Sequence, residues 1–181
     1  MPRQIEIIAI GNELLKGITQ NTNAAEIAIH DLFIKNGWTL STAESCSGGA
    51  ISARLTRTPG ASKYFLGGFV TYSNVLKEKL LNVDRNIIDT HGAVSEETVK
   101  AMALGALKAT GSDFAVATSG IAGPSGGSEE CPVGTVWIAI GMNNGEVFCH
   151  KKECYGNREM VIEQCVNVAL GYLYWHASNA G

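Results

Sequence analysis

Three adjacent residues that can act as nucleophiles, Ser45, Cys46 and Ser47, stand between an apolar run and the pair Gly48-Gly49. A hydroxyl or thiol in a tight turn at the end of a strand is well placed to present a reactive atom. Residue type alone does not rank the three. A serine needs a base; no histidine lies close in sequence, and the lysine of Tyr72-Ser73-Asn74-Val75-Leu76-Lys77 is a chemically sensible one. Lys77 has to be neutral to act, so burial or a cationic neighbour must lower its pKa. Taken alone, a lysine in a short helix is expected on the solvent face, and a cysteine inside as a small apolar residue.

A second glycine-rich loop, Ser119-Gly120-Ile121-Ala122-Gly123-Pro124-Ser125-Gly126-Gly127, also follows an apolar run. Open α/β sheets bind ligands beyond the carboxyl ends of their strands, so both loops line one crevice if their strands are parallel neighbours. The N–H groups and positive end of a helix after Gly48-Gly49 would suit a phosphate or a developing oxyanion. Arg158, after Tyr155-Gly156-Asn157, offers a guanidinium that grips a phosphate or only caps a surface. Neither loop carries the phosphate-binding G-x-x-x-x-G-K-[S/T] pattern or the G-x-G-x-x-G dinucleotide fingerprint, which excludes ATP and NAD on motif grounds. The five cysteines, Cys46, Cys131, Cys149, Cys154 and Cys165, form no close C-x-x-C pair, and the four histidines share no helical face, so neither a disulfide framework nor a metal is expected.

Strands and helices alternate around these loops. Ile5 to Ile10 reads as a strand, Asn21 to Lys35 as a helix stopped by Asn36-Gly37, Trp38 to Ala43 as a strand, and Ala50 to Leu55 as a helix. Phe65 to Tyr72 is β-rich and Asn74 to Leu81 helical. Ser95-Glu96-Glu97-Thr98 is a capping signal for a helix over Val99 to Ala109 with Gly111 as terminator. Phe114 to Thr118 is a buried-type strand, Val133 to Ile140 and Glu146 to Glu153 a hairpin around Asn143-Asn144-Gly145, and Met160 to Trp175 a closing amphipathic helix. The pattern predicts an α/β fold: a single three-layer α/β/α domain with a mixed β-sheet.

Composition narrows the partners. The chain has 181 residues, 17% of them charged, with a net charge of −3 and no basic stripe, so nucleic acid is not an expected partner. No window approaches the roughly 18 apolar residues of a membrane span, and the first residues lack a signal pattern, so a cytoplasmic protein without a membrane partner is expected. A homo-oligomer, with a dimer first, is the general expectation for its assembly.

Five blocks together carry a family resemblance: Thr42 to Gly49, Phe69 to Asn74, His91 to Ser95, Ser119 to Pro124, and Pro132-Val133-Gly134-Thr135-Val136-Trp137. In this order they resemble the CinA C-terminal domain family, the bacterial nicotinamide mononucleotide amidohydrolases. The resemblance implies hydrolysis of the carboxamide of nicotinamide mononucleotide to nicotinate mononucleotide and ammonia, within pyridine nucleotide salvage and without a cofactor. It implies a serine–lysine pair, Ser45 from Ala-Glu-Ser and Lys77 from Tyr-Ser-Asn-x-x-Lys, with Tyr72 orienting it, and so reverses the solvent-face expectation for Lys77. The substrate-binding set it suggests is Glu44, Cys46, Ser47, Gly48, Gly49, Ser119, Gly120, Gly123 and Arg158. Ser47 stands where the family usually has threonine, which keeps the hydroxyl. The alternative is a catalytically silent nucleotide-binding sensor or partner protein of the same fold. Residues 1–23 form an extension resembling the opening of a molybdopterin-binding-like domain, too short for a pocket of its own and expected to serve as an extra strand or oligomer contact; residues 24–181 form the amidohydrolase-type domain.

Overall fold

The computed structural model describes residues 24–180. The expected strand Ile5 to Ile10, and the extension it belongs to, lie outside them. Among the described residues, five strands form one mixed sheet: β1 (Leu40–Glu44), β2 (Phe65–Val70), β3 (Phe114–Gly120), β4 (Thr135–Met142) and β5 (Val147–Glu153), in the order β2-β1-β3-β4-β5. β2, β1 and β3 are mutually parallel, while β4 and β5 return antiparallel as a hairpin. The three-layer α/β/α architecture with a mixed sheet is therefore as expected. β1 lies in the parallel part and is buried on both faces, as the middle strand of such a sheet should be.

Side-chain alternation splits the core into two halves of different character. One face carries Leu40, Phe114, Val116, Val136, Ile138 and Ile140 and is covered by α1 (Ala24–Asn36), α2 (Ala50–Thr56) and α6 (Arg158–Ser178). Phe33 of α1 is fully buried there, its ring 5.2 Å from Phe114 and 5.8 Å from Tyr64; burial of such a side chain contributes about 1.5–3 kcal/mol. The other face is paved with Ala43, Ala115, Ala117 and Ala139, and the small residues let α5 (Glu96–Thr110) lie close on the sheet. α3 (Asn74–Leu81) and α4 (Arg85–His91) pack beside α5 on this second face.

The helix ends follow from the chain. Ser95 accepts the Thr98 N–H at 3.2 Å, and Gly111 closes α5 in the left-handed conformation, as its capping signals predict. Ser73 caps α3, accepting from the Leu76 N–H at 3.3 Å, and Asn157 caps α6, accepting from the Met160 N–H at 3.0 Å. The sequence pattern does not predict α4. Asp84 caps it, accepting from the Asn86 N–H at 2.8 Å, but only Ile88 of its seven residues is fully buried, too little for an apolar period to show.

Candidate active site

β1 and β3 are parallel neighbours, so the two glycine loops leave the same edge of the sheet, side by side. Between them opens a cavity of about 200 Å³ lined by Ser45, Cys46, Tyr72, Asn74, Lys77, Ala93, Val94, Ser119, Gly120, Ala122 and Arg158. A depression of about 430 Å³ at Glu26, Arg54 and Arg57 is larger, but it contains no nucleophile beside a base. Chemistry rather than size selects the smaller cavity.

Ser45 is the first residue after β1, and its backbone N–H donates to the Thr118 carbonyl at 3.0 Å. Lys77, in the first turn of α3, is 1% exposed, and its amine lies 3.1 Å from Ser45 Oγ and 2.9 Å from the Thr71 carbonyl. Burial holds the amine below its ordinary value of 10.5, with the Cys46 sulfur acting in the opposite sense. In the neutral amine, one N–H serves the Thr71 carbonyl and the lone pair is free for the Ser45 hydroxyl proton. That is the requirement for a lysine to activate a serine.

The turn after Ser45 is closed on itself. Gly48 and Gly49 take left-handed φ angles of 61° and 99°, and the Gly48 N–H donates back to the Ser45 carbonyl at 3.1 Å. The Gly49, Ile51 and Ser52 N–H groups all donate to the Glu44 carboxylate. The expectation that the head of this helix receives a substrate anion is therefore corrected: the anion there is the chain's own Glu44, fully buried and turned away from the cavity. Two N–H groups of the turn, those of Cys46 and Ser47, have no hydrogen-bond partner among the described residues.

Of the residues singled out by sequence, Ser45, Cys46, Tyr72, Lys77, Ser119, Gly120 and Arg158 meet at the cavity, whereas Glu44, Ser47, Gly48, Gly49 and Gly123 do not line it. Ser47 Oγ is buried against Thr118 Oγ1 at 2.8 Å. Ser119 Oγ donates to the Ala93 carbonyl at 2.6 Å, which ties the second loop to the approach of α5. Arg158 donates to the Gly123 carbonyl at 2.8 Å and to the Tyr72 hydroxyl at 3.0 Å. Tyr72 is thus a rim residue, 61% exposed, whose hydroxyl is engaged by Arg158 rather than by Ser45 or Lys77. Sequence reasoning missed the Thr71 and Thr118 carbonyls, which hold the Lys77 amine and the Ser45 N–H. Being backbone groups, they leave no residue-type signal.

Fold and site together define a three-layer α/β/α protein with a buried serine–lysine pair at the carboxyl edge of its parallel strands. A family model described as the CinA C-terminal domain matches residues 22–176, and the chain belongs to that family. A CinA-like protein of Leptospira biflexa is 47% identical over 146 residues, which are 81% of this chain and 35% of that protein. A protein of Escherichia coli K12 named nicotinamide-nucleotide amidohydrolase PncC is 49% identical over 139 residues, 76% of this chain and 84% of that one. The crystal structure of a CinA superfamily protein from Klebsiella pneumoniae, 36% identical, matches with a TM-score of 0.85 over 88% of this chain and 99% of that one. The chain spans about a third of the length of the CinA-like relative it matches. No helix among the described residues is long and apolar enough to cross a membrane.

Proposed function

We propose that residues 24–181 form an amidohydrolase that converts nicotinamide mononucleotide to nicotinate mononucleotide and ammonia, with Ser45 as nucleophile and Lys77 as the proton carrier. The observation that carries this reading is the buried Lys77 amine 3.1 Å from Ser45 Oγ. The 49% identity to the Escherichia coli nicotinamide-nucleotide amidohydrolase supports the substrate class.

The neutral Lys77 amine takes the Ser45 proton as Oγ attacks the carboxamide carbon. The oxyanion of the tetrahedral intermediate accepts from the Cys46 N–H, the donor that the turn leaves unspent at the cavity wall. Lys77 returns its proton to the leaving nitrogen, the C–N bond breaks, and ammonia departs from an acyl ester on Ser45. Water then attacks that ester, giving its proton to Lys77, which returns it to Ser45 Oγ as the carboxylate product leaves. Every step uses this chain's own groups and no cofactor or metal. The phosphate lies at the rim with Arg158, because the head of α2 is already occupied by Glu44. Ser119, Gly120 and Tyr72 line the path between rim and dyad. The working context in this reading is pyridine nucleotide salvage in the cytoplasm, with a homo-oligomer, a dimer first, as the active unit.

The test is ammonia release from nicotinamide mononucleotide by the purified protein beside Ser45→Ala and Lys77→Ala variants. Turnover by the parent and its loss in both variants is expected. A folded parent that binds the nucleotide without releasing ammonia refutes the reading in favour of a silent sensor.

A further inference from the structure

Glu44 has no solvent exposure and immediately precedes Ser45, yet it does not line the cavity. Its carboxylate accepts four hydrogen bonds: Oε2 from the Gly49 and Ile51 N–H groups at 3.0 Å each, and Oε1 from the Ser52 N–H at 2.8 Å and the Ser52 hydroxyl at 2.7 Å. A carboxylate has about four lone-pair sites, and all are used. Its main chain is engaged as well, since the Glu44 carbonyl accepts the Thr71 N–H at 2.8 Å, and the Thr71 carbonyl in turn accepts from the Lys77 amine.

We propose that Glu44 is a positioning residue for the Ser45–Lys77 pair: its side chain clamps the nucleophile turn into a ring, and its main chain ties that ring to Thr71, whose carbonyl holds the Lys77 amine. This rests on the amidohydrolase reading for its catalytic consequence, but not for its effect on Ser45 itself.

Capping a helix does not by itself require this arrangement. The N-cap residue of α2 is Gly49, which has no side chain, and the cap arrives instead from five positions upstream, across the turn that bears the nucleophile. A serine or aspartate at the N-cap would serve only the Ile51 or Ser52 N–H, would leave the amide of residue 49 unpaired and would be strained at its φ of 99°. What the long-range cap adds is closure. Two consecutive glycines give the turn little conformational preference of its own; Thr118 holds its start through Ser45 and Ser47, and the Glu44 carboxylate holds its far end, where the glycines lie. α2 has only seven residues and cannot hold that end by its own stability. Three converging amides and the positive end of the helix favour a charged acceptor over a neutral one.

The experiment compares the full chain with Glu44→Gln, which keeps the shape but turns two acceptor sites into donors facing donors. Three readouts are taken: kcat and KM for nicotinamide mononucleotide, the rate at which a fluorophosphonate labels Ser45, and the thermal midpoint. Expected are a kcat lower by about 10- to 100-fold with KM changed by less than about 2-fold, and labelling slowed in step. A folded variant that melts earlier but keeps the parent's kcat and labelling rate overturns the proposal and leaves Glu44 as a cap only. If Glu44→Gln does not fold, Ser52→Ala decides, since it removes one of the four donors; slower labelling supports the proposal and unchanged labelling overturns it. A parent that is labelled but releases no ammonia defeats the amidohydrolase reading alone, and labelling of Glu44→Gln still decides the role of Glu44. A parent that is neither labelled nor active defeats both.

Discussion

Gly105, in the middle of α5, lies where that helix crosses the end of α3, the helix that bears Lys77. A methyl group built on it would sit 2.8 Å from the Leu81 carbonyl carbon and 2.9 Å from Leu81 Cβ, with the carbonyl oxygen nearer still. Carbon atoms in comfortable contact are about 3.5–4.0 Å apart, so Gly105→Ala has to open the α3–α5 contact by about 1 Å. Leu81 is one turn beyond Lys77 on the same helix, and a shift of that size takes the 3.1 Å Lys77–Ser45 separation beyond hydrogen-bond reach. Misplacement on this scale costs about 100-fold in rate. Stability sets two effects in opposition: alanine gains roughly 1 kcal/mol of helix propensity, while overpacking costs about 1–3 kcal/mol. The net expectation is a destabilisation of up to about 2 kcal/mol, or a midpoint lower by about 4–8 °C in a domain of this size. Thermal melts and ammonia-release kinetics on Gly105→Ala measure both. A variant more stable than the parent with full turnover would show propensity prevailing, and would refute the claim that this contact sets the position of Lys77.

Replacing Lys77 by methionine, similar in length and apolar, should lower turnover by about 10²–10⁴-fold while the protein stays folded. Burial lowers the folded-state pKa of Lys77, so between that lowered value and 10.5 the unfolded chain holds a proton that the folded chain does not. The parent therefore gains stability relative to Lys77→Met as pH rises through that window, while its turnover rises as pH passes the lowered value itself and is level above it, where the folded amine is already neutral. A midpoint difference independent of pH contradicts this account. Arg158→Ala should raise KM for the phosphorylated substrate by about 10-fold or more with a smaller effect on the corresponding riboside, and Arg158→Lys should not restore it fully, because the fork that spans Gly123 and Tyr72 is lost. His176 is buried, and its Nε2 is 2.8 Å from His150 Nε2; burial first, and His150 second, bring it down to about 4. Stability should fall as pH drops from 6.5 towards about 4, where the unfolded chain takes up the proton first. In His176→Phe, which keeps an aromatic ring against Phe148, denaturant titrations should show a shallower loss across the same range.

The parts of this fold that were legible in the sequence are those where a local rule and the global structure agree. Ser95 and Gly111 mark the ends of α5 because capping is a contact within one turn. Asn143-Asn144-Gly145 marks the β4–β5 hairpin for the same reason. Ser45, Cys46, Ser119 and Gly120 could be placed at one crevice once their strands were read as parallel neighbours. The errors concern groups whose role depends on distant partners. Gly48 and Gly49 look like a cradle for an external anion, and nothing in their local sequence says that Glu44 folds back to occupy it. An acidic residue four positions before a glycine pair that opens a helix is the available signal, but it reads equally well as a ligand group. The family resemblance implies Tyr72 beside the dyad, and in the structure its hydroxyl is engaged by Arg158, 86 positions away.

α3 shows why the central pair was the hardest feature to read. Its pattern is inverted: Val75, Leu76 and Leu80 are exposed, at 52%, 37% and 44%, while Lys77 is buried at 1%. A helix placed by its apolar stripe would turn those three inward and put the lysine in water. The structure does the reverse because Leu81 and Lys77 share the face turned to α5 and Ser45, and Leu81 anchors that face against Gly105. Selecting only for stability would replace Lys77 with an apolar residue, since an amine with two polar neighbours does not recover what it loses on leaving water. The same desolvation lowers its pKa, which is what the proposed role as a base for Ser45 requires. Local patterning is therefore broken where the proposed chemistry needs it broken, and the inverted helix is itself evidence for where that chemistry lies.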